Sequence, residues 1–188
     1  MSESEQNDLG EGIVYRSLLP FEWHPVDEMP GQEVLQAQSE ARVDANERHL
    51  RAIAILNEYP VDMSEEFHHL EFKMNLLLEL MGDMLATQLE LPPETFVHLS
   101  AAGLEWQDDC SIMPEAGQPV VLDVYLHPQY PRAVSLPGRV AALDKLDGGR
   151  CHCRVSFDDL PDSLNDQLEK LIFTHHRREV AHSRRHGG

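Results

Sequence analysis

Residues 96–106 read FVHLSAAGLEW, two segments of period two around a short turn. Phe96-Val97-His98-Leu99 and Leu104-Glu105-Trp106 alternate apolar with polar side chains, and Ser100-Ala101-Ala102-Gly103 lies between them. A strand pair is the reading. The same period continues downstream. Val120, Leu122, Val124 and Leu126 alternate with Val121, Asp123 and Tyr125, the mark of a half-buried strand. Val134 to Leu143 forms another, with Pro137-Gly138 marking an edge or a bulge. Asp147-Gly148-Gly149 signals a turn into Cys151, Cys153, Val155 and Phe157, which alternate with His152, Arg154 and Ser156. A last helix starts near Asp162-Ser163 with Leu164, Leu168, Leu171 and Ile172 on one face, and the tail after it is basic, with Arg177, Arg178, Arg184 and Arg185. Short strands without intervening helices predict a small antiparallel barrel or sandwich.

Upstream of Pro93 the period is helical. Glu33 to Tyr59 holds neither Pro nor Gly, and Pro60 ends it because the residue before a proline is pushed out of the helical region. A second helix is predicted from about Ser64 to Leu91, capped by Asp62 or Ser64, with Glu65 and Glu66 at the positive end of its dipole and Pro92-Pro93 as its stop. Each helix spans roughly 40 Å at about 1.5 Å per residue. Before them, residues 11–17 hold a short β-like run followed by a Pro-containing loop through Gly31, and residues 1–10 are too polar to bury anything and read as disordered. The expected organisation is a disordered 1–10, a first part of the barrel at 11–30, an inserted helical hairpin at 31–91, the rest of the barrel and its closing helix at 92–180, and a basic tail at 181–188.

The second helix writes out as heptads. Phe67, Met74, Met81 and Gln88 fall at a; Leu70, Leu77, Met84 and Leu91 fall at d. Leu78 and Leu85 at e, with Leu80 at g, widen the stripe beyond a two-stranded seam, so the helix must be covered from several sides. The first helix offers Val43, Leu50 and Ile53, interrupted by Asn46 and Asn57, and is too polar to cover the second alone. Either the hairpin folds back on its own barrel, or the second helix packs against copies of itself. Self-assembly through Phe67, Leu70, Met74, Leu77, Met81, Met84 and Leu91, with Leu50 and Ile53, is the preferred reading, tetramer before dimer, with Asn46 as a buried polar residue fixing register.

Composition narrows the partners. Fifteen Lys plus Arg against 33 Asp plus Glu give a net charge of −18 among 188 residues, which repels DNA, RNA and anionic lipid. No apolar run approaches the roughly 20 residues of a membrane span, and the acidic first dozen residues do not read as a signal peptide, so a cytoplasmic location is expected. Cys110, Cys151 and Cys153 are too few, and odd in number, for a disulfide framework.

His98-x-Ser100-x-x-Gly103, followed by Leu104, resembles the Asp/Asn-x-Ser-x-x-Gly turn of the PilZ family of cyclic di-GMP receptor domains. The hairpin from Val134 to Phe157, the Phe157-Asp158-Asp159-Leu160 corner and the closing helix fit the same family. With its long heptad helices the chain is similar to the atypical, oligomeric PilZ proteins of xanthomonads. The resemblance implies an α+β fold: a small antiparallel PilZ-like barrel with a C-terminal helix and an inserted pair of long helices. It also implies a ligand gripped by an Arg-x-x-x-Arg motif ahead of the barrel and by the turn. A ligand with two phosphates and two large π-faces calls for planar, bidentate arginine. This chain departs from that pattern. Ahead of Ser100 its arginines are Arg16, Arg42, Arg48 and Arg51, no two of them four apart, and His98 stands where the acid or amide is expected. Gly103 is equally explained by a need for positive φ, and Ser100 by the turn's own backbone. Cyclic di-GMP binding is therefore expected to be lost or very weak, the alternative being a receptor built from Arg16, His98, Ser100 or the tail arginines.

Other chemistry is thin. Among the 11 histidines, the adjacent pairs His68-His69 and His175-His176 point to different sides of a helix, and His175 with His182 lacks completing ligands. Cys151 and Cys153 share one inward strand face and read as small hydrophobes. No glycine-rich phosphate loop, nucleophile elbow or His-Glu-x-x-His motif is present. The expectation is a non-enzymatic, self-assembling signalling or scaffold protein with no catalytic residue, metal or cofactor, acting on an unidentified protein partner.

Overall fold

A computed structural model describes residues 13–26, 32–56, 65–127, 130–158 and 160–186. Strand β1 (Tyr15–Pro25) leads through helices α1 (Gln32–Leu56) and α2 (Glu65–Gln88) to β2 (Glu94–Leu99) and β3 (Gly103–Asp109). β4 (Pro119–Val124), β5 (Val134–Lys145), β6 (Arg150–Phe157) and helix α3 (Asp162–His186) follow. The strands are antiparallel and close a barrel in the order β1-β2-β3-β6-β5-β4.

The period-two residues fill the barrel as their spacing requires. Val120, Leu122, Val124, Leu126, Val97, Leu99, Leu104, Trp106, Val134, Leu136, Cys153 and Val155 are all buried in one core. Leu164, Leu168, Leu171 and Ile172 of α3 are buried in that core too, and α3 closes over α1 and β1.

The structure corrects several expectations. Of the segment expected to be a loop from residue 18 to Gly31, the part through Pro25 is strand, and residues 27–31 lie outside the described residues. β1 pairs with β2 from Tyr15 to Pro20, then with β4 from Phe21 to Pro25. Pro20, lacking an N–H, sits where β1 changes partner, and its carbonyl accepts from Tyr125 N at 3.1 Å. Pro137-Gly138 marks an edge, where the pairing of β5 with β6 begins, and not the bulge, because the irregularity of β5 falls between Val140 and Ala142. Asp147 to Gly149 forms a 3-10 turn with Gly148 and Gly149 at positive φ. The residues expected to form a tail after the closing helix continue α3 to His186. Cys110 and Cys151 are joined in a disulfide, their Cα atoms 4.9 Å apart. The antiparallel β3–β6 register, with Asp108 opposite Cys151, brings these distant residues together, which spacing alone does not show. Cys153 stays free and buried, its thiol pushed up to about 12 by burial, an inert small hydrophobe as expected. The expected disorder of 1–10, the caps Asp62 and Ser64, and the side chains of Phe67, Arg178, Arg184 and Arg185 lie outside the described residues.

The two helices of the hairpin fare differently. Leu50 and Ile53 of α1 are 1% and 0% exposed within the chain's own core, so they are not free for self-assembly. The reason is an unpaired sheet edge. β6 meets β5 only from Gly138 onward, which leaves the first residues of β5 without a neighbour on that side. Asn46 fills the gap: its Nδ2 donates to Ser135 O at 2.6 Å and its Oδ1 accepts from Ser135 N at 2.9 Å, the two bonds a further strand would make. His49 Nδ1 lies 2.9 Å from Ala133 O, continuing the contact. Asn46 therefore seats α1 on its own barrel and does not set the register of a bundle. Asn46→Ala strands two partly buried backbone groups of Ser135 and is expected to cost about 2 kcal/mol in chemical denaturation.

Candidate functional site

The β2–β3 turn is built around one serine. Ser100 is buried, its N donates to Gly103 O at 2.8 Å, and its hydroxyl accepts from Ala102 N at 3.2 Å and Gly103 N at 3.1 Å. The hydroxyl also faces Gly103 O at 3.2 Å, so its hydrogen-bonding capacity is taken up by the turn itself. Gly103 is extended, not at positive φ, and its requirement is space. A Cβ there would lie 2.2 Å from the Val155 carbonyl oxygen of β6.

Beside the turn, on the outer face of the barrel, a carboxylate is buried among basic side chains. Glu105, 6% exposed, stands opposite His98 on β2 and Arg154 on β6. His98 Nδ1 is 3.2 Å from Glu105 Oε1, while His152 Nε2 and Arg154 Nε lie 3.3 and 3.6 Å from Oε2. Arg16 of β1 is directly opposite His98, and Phe96 packs edge-on against the His98 ring at 5.3 Å.

The structure therefore places His98 on β2 beside the Ser100–Gly103 turn and adds Glu105, His152 and Arg154, which local sequence does not single out. All three sit at outward positions of period-two strands, but only the register shows that they converge. Arg48 and Arg51 are exposed on α1, away from this cluster's strands, and Arg177 lies 5.8 Å from the Phe173 ring centroid within α3.

The second feature is the outer surface of α2. Leu70, Met74, Leu77, Met81 and Met84 are between 54% and 61% exposed, and Phe72, Leu76 and Leu80 are exposed beside them. Leu91, after the helix, is half-buried. No described helix is long and apolar enough to cross a membrane. Among the described residues, Glu22, His24 and Asp123 are the set whose donor atoms lie mutually within 4.8 Å.

A closed six-stranded barrel capped by a C-terminal helix, with its Ser-x-x-Gly turn between β2 and β3, is a PilZ-type architecture. The family model for the atypical PilZ domain, cyclic di-GMP receptor, matches residues 56–185, and the chain belongs to that family. The match takes in α2 as well as β2 to α3. Among solved structures, the chain is similar to a pathogenic protein from Xanthomonas campestris, a tetrameric PilZ domain self-assembled via a helical bundle. Identity is 23%, coverage 92% of both chains and TM-score 0.63. It is also similar to the Bacillus subtilis inhibitor of motility (13% identity, 47% of this chain and 42% of that one, TM-score 0.37). The PilZ domain of CeSA from a cellulose-synthesizing bacterium matches at 16% identity, 43% of this chain, 74% of that one and TM-score 0.30. No curated protein matches the sequence.

Proposed function

We propose that this chain is a non-enzymatic PilZ-family signalling or scaffold protein that self-assembles through α2, as a tetramer before a dimer, and acts through protein–protein contacts. The carrying observation is the row of exposed Leu and Met side chains along α2, since contiguous exposed apolar surface marks an interaction site. The heptad spacing of those residues and the helical bundle of the similar Xanthomonas protein support the same reading. The organisation that follows is a barrel on which α1 is seated, with α2 as its assembly element. Cyclic di-GMP binding is lost or very weak, because Ser100 is engaged by its own turn and His98 by Glu105.

A second reading is a cyclic di-GMP receptor using Arg16, His98, Ser100 and the C-terminal arginines. The family's description and the placement of Arg16 opposite His98 favour it. Calorimetric titration with cyclic di-GMP at low salt, beside a standard PilZ domain, separates the two. No saturable heat is expected. Micromolar or tighter binding that Arg16→Ala abolishes would establish the second reading instead.

A further inference from the structure

On the opposite run of β1, where it pairs with β4, two carboxylates face each other. Glu22 is the register partner of Asp123, and like charges directly opposite on an antiparallel pair are destabilising unless something neutral or cationic joins them. His24, two residues along the same face of β1, supplies a nitrogen. Its Nε2 lies 3.5 Å from Asp123 Oδ2 and 3.7 Å from Glu22 Oε2. Ligand atoms about 2.1 Å from a tetrahedral ion stand about 3.4 Å apart, so the histidine already holds its distance to both carboxylates.

The site is also supported from behind. The Ser135 hydroxyl donates to Asp123 Oδ1, turning Oδ2 toward His24. Ser135 is itself fixed, its N–H and carbonyl held by Asn46 of α1. Ligands on paired strands with a hydrogen-bonded shell behind them are what a metal centre needs. A chain of net charge −18 draws divalent cations generally, and here three donors of mixed N and O type converge.

We propose that Glu22, His24 and Asp123 bind a divalent transition-metal ion of the zinc class, with Ser135 as a positioning residue and a fourth coordination position open to water or a partner's side chain. The inference is independent of self-assembly and of cyclic di-GMP. The set joins an alternate pair on one strand to Asp123, 99 positions beyond His24, which only the β1–β4 register brings close.

The test is calorimetric titration of the full chain with Zn2+ in a non-chelating buffer at moderate salt, followed by histidine-selective NMR. One saturable ion per chain is expected, with the His24 ring resonances shifting at one equivalent. His24→Ala and Glu22→Gln should abolish that event, and Ser135→Ala should weaken it by about tenfold or more. His24 is half exposed, so its variant should keep the wild-type circular dichroism and melting temperature, which separates lost ligation from lost folding. Undiminished binding in the folded His24→Ala variant, or no saturable event in the wild type, would overturn the assignment.

Discussion

Replacing Leu77 and Met84 with aspartate is expected to convert the assembled protein into a monomer while leaving the barrel folded. Both side chains project from α2 at about 60% exposure, so neither contributes much to the chain's own core. Burying a Leu or Met side chain is worth about 1.5–3 kcal/mol, and each subunit of an assembly contributes its own pair. Aspartate removes that gain and places charge where helices would meet, in a chain already carrying −18. Light scattering coupled to size exclusion reads the mass directly. Four chain masses for the wild type and one for the double variant, with unchanged thermal unfolding of the barrel, are the expected results. A wild type of one chain mass would sink the assembly proposal. Leu50→Ala is the informative contrast, because that side chain lies in the intramolecular core and its loss should lower stability before it changes mass.

The contrast between Leu50 and Leu77 shows what was legible in the sequence. The period of two in Val120 to Leu126 and in Cys151 to Phe157 requires one buried face whatever the partners are, and the barrel followed from it. Helical period identifies an apolar stripe equally well, but not what covers it. Leu50, Ile53 and Asn46 look like seam residues by spacing, yet Leu50 and Ile53 join the chain's own core and Asn46 meets β5, where the start of the strand lacks a neighbour and an asparagine amide can replace one. β1 was cut short for a related reason. Proline normally argues against a strand, and only the change of partner at Pro20 removes the penalty. The Cys110–Cys151 bond and the Glu105 cluster are long-range consequences of register, invisible to any window of local sequence.

Gly103 is where a motif residue and a packing residue must be told apart. Gly103→Ala is expected to destabilise the barrel by about 3 kcal/mol or more, measured by chemical denaturation. The new Cβ would stand 2.2 Å from the Val155 carbonyl oxygen, a backbone atom that no rotamer change can move aside. β6 has little room to retreat. On its other side Gly138 approaches equally closely, since a Cβ there would meet the Ser156 carbonyl oxygen at 2.5 Å. Displacing β3 instead would strain the bond from Phe157 N to Ala102 O, which ties the end of β6 to the turn at 3.0 Å. The expected variant therefore has a lower denaturation midpoint with its subunit number unchanged, because α2 takes no part in this contact. A variant of wild-type stability would mean that β3 and β6 adjust freely, and the glycine would then need a reason outside the barrel, with the ligand side of the turn as the place to look.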